Sequence, residues 1–77
     1  MPEVLLEENR TTKLVYFYLK PYSEVEVSVR QLEALLGISH RPATEAMQRL
    51  VALQLLEMIE QPSNRLGRYR VDHSHNP

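Results

Sequence analysis

Seventy-seven residues, 43% hydrophobic and 25% charged, suffice for one globular domain and are too few for two. Such a chain buries only about 60–65% of the surface its unfolded form exposes, and without Cys no disulfide braces that marginal core; the lack of Cys fits a reducing compartment. The net charge of −1 excludes a molecule coated with cations for nucleic acid, and no apolar run approaches the roughly 18–20 residues of a membrane span.

Residues 1–10 form an N-terminal arm or short helix, in which Pro2 and the acids that follow suit the positive end of a helix. Thr11–Tyr22 is the first expected helix, capped by Thr11 or Thr12 and stopped by Pro21, which disfavours helical angles at Lys20. Its run Leu14 to Leu19 also suits a buried strand, but the cap and the proline favour helix. The aromatics carry no interleaved bases and read as core rather than as a stacking platform. Val25-Glu26-Val27 alternates with period two and predicts a short strand with both valines facing inward.

Ser28 caps a second helix, with Gln31 completing a capping box. Val29, Leu32, Leu35 and Leu36 fall on its apolar face. The turn Gly37-Ile38-Ser39 follows: Gly37 takes the left-handed conformation that closes one helix, and Ser39 caps the next. That third helix spans 40–53. Pro42 is tolerated in its first turn, and Ala43, Ala46, Met47, Leu50 and Leu53 make an apolar stripe. The small Ala43 and Ala46 let the preceding helix cross closely. His40, Arg41, Thr44, Glu45, Gln48 and Arg49 project from the other faces, and several are residue types that reach bases or phosphates.

Leu55–Glu60 is a second strand, Gln61–Gly67 a loop rich in turn residues, and Arg68–Val71 the return strand. Tyr69 and Val71 face one side of this hairpin and Arg68 and Arg70 the other, which predicts an apolar side and a cationic side. Residues 1–36 carry four basic against six acidic side chains, and residues 37–77 five against four; the stretch 61–71 holds Arg65, Arg68 and Arg70 and no acid. Residues 72–77 read as a flexible tail.

Two helices joined by a three-residue turn form a helix-turn-helix, whose second helix is built to enter a DNA major groove. On Leu32 to Ser39, Ala46-Met47, Leu50, Leu55-Leu56 and Gly67 to Val71, the chain resembles the winged helix-turn-helix domains of bacterial and archaeal transcription regulators of the MarR and GntR types. The resemblance covers residues 11–71. It implies an α+β, mostly helical fold: three helices with a small antiparallel sheet and a β-hairpin wing. It also implies that helix 40–53 enters the major groove while the wing, 61–70, lies on the minor groove or backbone. Carried over by position, His40, Arg41, Thr44, Glu45 and Gln48 meet the groove, and Arg65 and Arg68 the wing site; Arg49 and Arg70 complete the candidate set. Three positions depart from the family pattern. His40 stands where a basic residue is usual, Pro42 where a Thr or Ser often contacts phosphate, and Gln54 where a Gly usually ends the long helix.

The expected function is sequence-specific binding of double-stranded DNA, by a small transcription regulator or the DNA-binding domain of a plasmid or phage replication protein. One small domain offers few contacts, so a homodimer is expected, with Leu5, Leu6, Tyr16 and Tyr18 as spare apolar surface. With Met1 read as a native start and no signal peptide, the expected location is cytoplasmic, on the nucleoid. An enzyme is not expected: there is no Cys nucleophile, no phosphate-cradling Gly-rich loop and no paired-carboxylate site. No cofactor or metal is expected, since His73 and His75 with His40 lack a rigid site. A small-molecule effector at a dimer interface stays open. The alternative function is a winged-helix module that binds protein without DNA, favoured by the net charge and by Glu45 on the groove face.

Overall fold

The computed structural model describes residues 3–61 and 66–72. In chain order these form a short 3₁₀ turn, Glu3–Leu5; α1, Arg10–Leu19; β1, Glu24–Val27; α2, Val29–Leu36; α3, His40–Ala52; β2, Leu56–Glu60; and β3, Gly67–Val71. The architecture is α+β, with three α-helices and one antiparallel three-stranded sheet of order β1–β3–β2 among the described residues. None of these helices is long and apolar enough to cross a membrane.

Local chemistry sets most boundaries. The α2 capping box is complete: the Gln31 N–H donates to Ser28 Oγ at 3.1 Å, and the Ser28 N–H donates to Gln31 Oε1 at 2.8 Å. Gly37 ends α2 in the left-handed region at φ 66°, with its N–H donating to the Glu33 carbonyl. Ser39 has the extended backbone of an N-cap, but its side chain makes no capping bond. The expected cap of α1 is corrected. Asn9 holds that position, and its Oδ1 accepts from the Thr12 N–H at 2.8 Å, so the helix starts before Thr11. It also ends at Leu19 rather than Tyr22.

Gln54, standing where a Gly usually ends the long helix, closes α3. Its φ is 63°, the left-handed conformation that glycine usually supplies. The Gln54 N–H donates to the Val51 carbonyl at 3.0 Å and the Leu55 N–H to the Leu50 carbonyl at 2.9 Å, the paired bonds of a Schellman motif. Leu50 and Leu55, whose contact usually accompanies that motif, are both fully buried. Burial of the two leucines holds a strained residue in place, at a backbone cost of roughly 1–2 kcal/mol.

The core is organised around α3. Ala43, Ala46, Met47 and Leu50 are buried in one cluster with Val15, Tyr16 and Leu19 of α1, Leu32 of α2, and Val27, Leu56 and Val71 of the sheet. Leu5 belongs to the same cluster and has no exposed surface. The packed unit therefore reaches back before residue 11. Leu5 and Tyr16 are core, not spare dimer surface; of that group Leu6 is exposed and Tyr18 half-buried. Leu35, placed on the buried face of α2 by its spacing, is instead 60% exposed, because α2 turns only a narrow stripe toward its neighbours.

In the sheet, β1 and β2 both pair with β3. Val25 lies opposite Tyr69 and Val27 opposite Gly67, while Leu56 lies opposite Val71 and Met58 opposite Tyr69; the β2 register shifts between Met58 and Glu60. A Cβ on Gly67 would stand 2.7 Å from Cε2 of Tyr69, so this ring occupies the space a side chain at 67 would need. Burial pushes the Tyr69 phenol pKa up.

Replacing Gln54 with Gly relieves the left-handed strain and is expected to raise stability by about 0.5–1 kcal/mol in urea unfolding, net of the extra freedom Gly has in the unfolded chain. Leu5→Ala is expected to lower it by about 2–4 kcal/mol in the same assay, as for other buried leucines; a loss below ~0.5 kcal/mol would mean that the arm is not core.

Candidate nucleic-acid interface

Burying the stripe from Ala43 to Leu50 turns the opposite face of α3 to solvent. Helical spacing of four, three and four residues aligns Arg41, Glu45, Gln48 and Ala52 along that face, all exposed, with Thr44 and Arg49 on its flanks. The expected groove residues from Arg41 to Arg49 thus share one continuous surface. His40 sits at the α2 end of it, with Nδ1 3.0 Å from Glu33 Oε2 across the turn.

Each cation on this surface meets an acid. Arg41 Nε donates to Glu45 Oε1 at 3.1 Å, an i,i+4 pair in which the Arg41 side chain stays 89% exposed. Such a pair is worth only about 0.3–0.5 kcal/mol and opens readily. Thr44 Oγ1 donates to the His40 carbonyl at 3.0 Å. Gln48 makes no side-chain hydrogen bond among the described residues.

Arg49 differs. Its Nε and Nη2 donate to the two oxygens of Glu8 at 2.8 and 2.7 Å, a bidentate fork. The Glu8 side chain is only 13% exposed. The hydrogen bond from Arg49, with its charge, holds the Glu8 pKa below its ordinary value of 4.5, against a partial desolvation that raises it; Arg49 is raised in turn. Glu7 and Glu8 form one wall of an open groove whose other wall includes Glu45, Gln48 and Arg49.

The expected cationic side of the hairpin is corrected by the register. On β3, Arg70 lies between Glu24 of β1 and Glu57 of β2, and Arg68 between Glu26 and Glu60. Arg68 donates from Nε and Nη2 to Glu26 Oε1, and its Nη1 is 3.7 Å from Glu60 Oε1; Arg70 Nη1 is 3.8 Å from Glu57 Oε1. The bond to Glu26, followed by the field of Glu60, raises the Arg68 pKa. The polar face of the sheet thus consists of two Glu–Arg–Glu rows and has more carboxylates than guanidinium groups. A signal for this existed in the sequence: EVEV at 24–27 and RYRV at 68–71 alternate in the same period with opposite charge. Nothing local announced Glu8, which lies forty-one residues from Arg49. Arg65, His73 and His75 lie outside the described residues.

Compared with protein-family models, curated proteins and solved structures, the chain has no significant match.

The sign of the Glu8 shift gives a pH prediction. A lowered folded-state pKa contributes stability that is complete above the ordinary value of 4.5 and lost as pH falls through the folded-state value. Wild type is therefore expected to outlast Glu8→Gln in urea at about pH 7, with the gap closing toward about pH 3. A gap independent of pH would show that the Glu8 charge contributes nothing to folding.

Proposed function

We propose that this chain is a winged helix-turn-helix that binds duplex DNA, with α3 in the major groove. The reading is carried by the outer face of α3. It is polar and continuous, it follows a sharp helix–helix turn, and it presents Arg41 at the start of the helix on a weak, open ion pair. Arg41 suits guanine O6 and N7 or a phosphate, Gln48 suits adenine, and Glu45 suits cytosine N4 once Arg41 leaves it. The element order supports the same reading: a helix, a strand, two helices joined by the turn, then two strands closing on the first. The role that follows is a small transcription regulator or replication protein acting in the cytoplasm on the nucleoid. It acts as a homodimer, since one domain makes few contacts. Leu6, Leu14 and Phe17 are among the exposed apolar side chains that such a dimer could cover.

The Glu–Arg–Glu rows change the part given to the wing. Arg68 is engaged by carboxylates on both neighbouring strands and Arg70 faces Glu57 of β2, so α3 rather than the β3 arginines supplies the affinity in this reading. Those same rows favour one rival, a winged-helix module whose acidic sheet face docks a basic protein surface.

Fluorescence anisotropy on labelled duplex DNA at roughly 50 and 200 mM salt separates the two. Wild type is expected to bind at the lower salt and weaken steeply at the higher. Arg41→Ala is expected to lose about tenfold in affinity and part of the salt slope, while Arg68→Ala changes affinity by less than about twofold. No binding at low salt would overturn the DNA reading and leave the protein module.

A further inference from the structure

Arg49 projects from the flank of α3, beside Gln48 and Glu45 on the face assigned to DNA, yet the chain already fills its binding fork. The occupant is Glu8, a planar anion that presents two oxygens to Nε and Nη2 as a phosphate would. The holding segment is anchored on both sides. Leu5 is fully buried in the core, the Glu8 N–H donates to the Leu5 carbonyl at 3.1 Å, and Asn9 caps α1. Glu8 is therefore delivered to Arg49 by folded structure and not by a chance encounter of long side chains. Glu7 stands in the same groove wall and adds a second negative charge along that flank.

From this geometry we infer that Glu8 is an internal competitor for the DNA backbone: it occupies Arg49 as a phosphate mimic, and the N-terminal segment thereby holds down the chain's affinity for duplex. The inference rests on the reading of α3 as the DNA-binding helix. A backbone phosphate that reaches Arg49 has to displace a bidentate carboxylate and tolerate Glu8 and Glu7 nearby. Neutralising Glu8 frees the fork and removes the repulsion together, whereas neutralising Glu7 removes a similar charge without freeing Arg49. The contrast between the two isolates the fork from simple net charge.

The test uses the whole chain with labelled random-sequence duplex at roughly 50 and 200 mM salt, comparing wild type, Glu7→Gln, Glu8→Gln, Arg49→Ala and the Glu8→Gln/Arg49→Ala double variant. Glu8→Gln is expected to bind about tenfold tighter than wild type, and Glu7→Gln no more than about twofold tighter. In the Arg49→Ala background the Glu8→Gln gain is expected to shrink to the size of the Glu7→Gln gain. Equal gains for Glu7→Gln and Glu8→Gln, or a Glu8→Gln gain undiminished without Arg49, overturn the competition and leave the DNA reading standing. Absence of binding by every variant at the lower salt overturns both. A second measurement needs no substitution. The carboxyl ¹³C titration of Glu8 in the wild-type chain is expected to move back toward the ordinary carboxylate range when duplex is added; an unchanged titration in the bound state means that Glu8 keeps Arg49, and the competition fails.

Discussion

Everything in this small domain hangs on the burial of one stripe of α3. Ala43, Ala46, Met47 and Leu50 occupy the centre of the core, and α1, α2, the sheet and the N-terminal turn all contribute buried residues to the cluster around them. The two alanines matter because they are small: with no side chain beyond Cβ, α3 allows neighbouring backbones to approach closely. Burying that stripe leaves the opposite face no choice but solvent. The surface that carries Arg41, Glu45 and Gln48 is thus a direct consequence of where the apolar residues are. The Schellman closure at Gln54 and Leu55 ties the far end of α3 to the start of β2.

The second governing feature is charge compensation. A chain with ten acids and nine bases has cations for nucleic acid only where its acids are elsewhere. On the sheet they are not elsewhere. Antiparallel pairing places a glutamate on each side of Arg68 and Arg70, and cross-strand neighbours about 5 Å apart cannot avoid one another. On α3 the pairs differ in how firmly they hold. The Arg41–Glu45 pair lies on one helix, is widely exposed and has little to hold it together. The Arg49–Glu8 fork joins two segments of the fold, uses both carboxylate oxygens and leaves the acid nearly covered. The first is a cation in reserve, the second a cation already in use.

The N-terminal segment connects these two features. Leu5 helps complete the core and Glu8, three residues on, reaches Arg49 on the solvent side of α3. A part of the chain that contributes to stability therefore also sets the electrostatics of the surface opposite the core.

Much of this was legible in the residues themselves. The α2 capping box, the left-handed Gly37, the apolar stripe of α3 and the EVEV and RYRV alternations are local patterns. They depend on side-chain chemistry within a few positions, so the second and third helices, the strands and the polar face of α3 could be read from spacing and caps, while the first helix also needed the proline that follows it. Tertiary structure decided the rest. The inclusion of Leu5 and Tyr16 in the core, the exposure of Leu35, the flanking of Arg68 and Arg70 by glutamates, and the capture of Arg49 by Glu8 are relations between distant parts of the chain. Hydrophobic periodicity states which residues avoid water but not which neighbour covers them. A charge count states how many ions there are but not which two the fold brings within 3 Å.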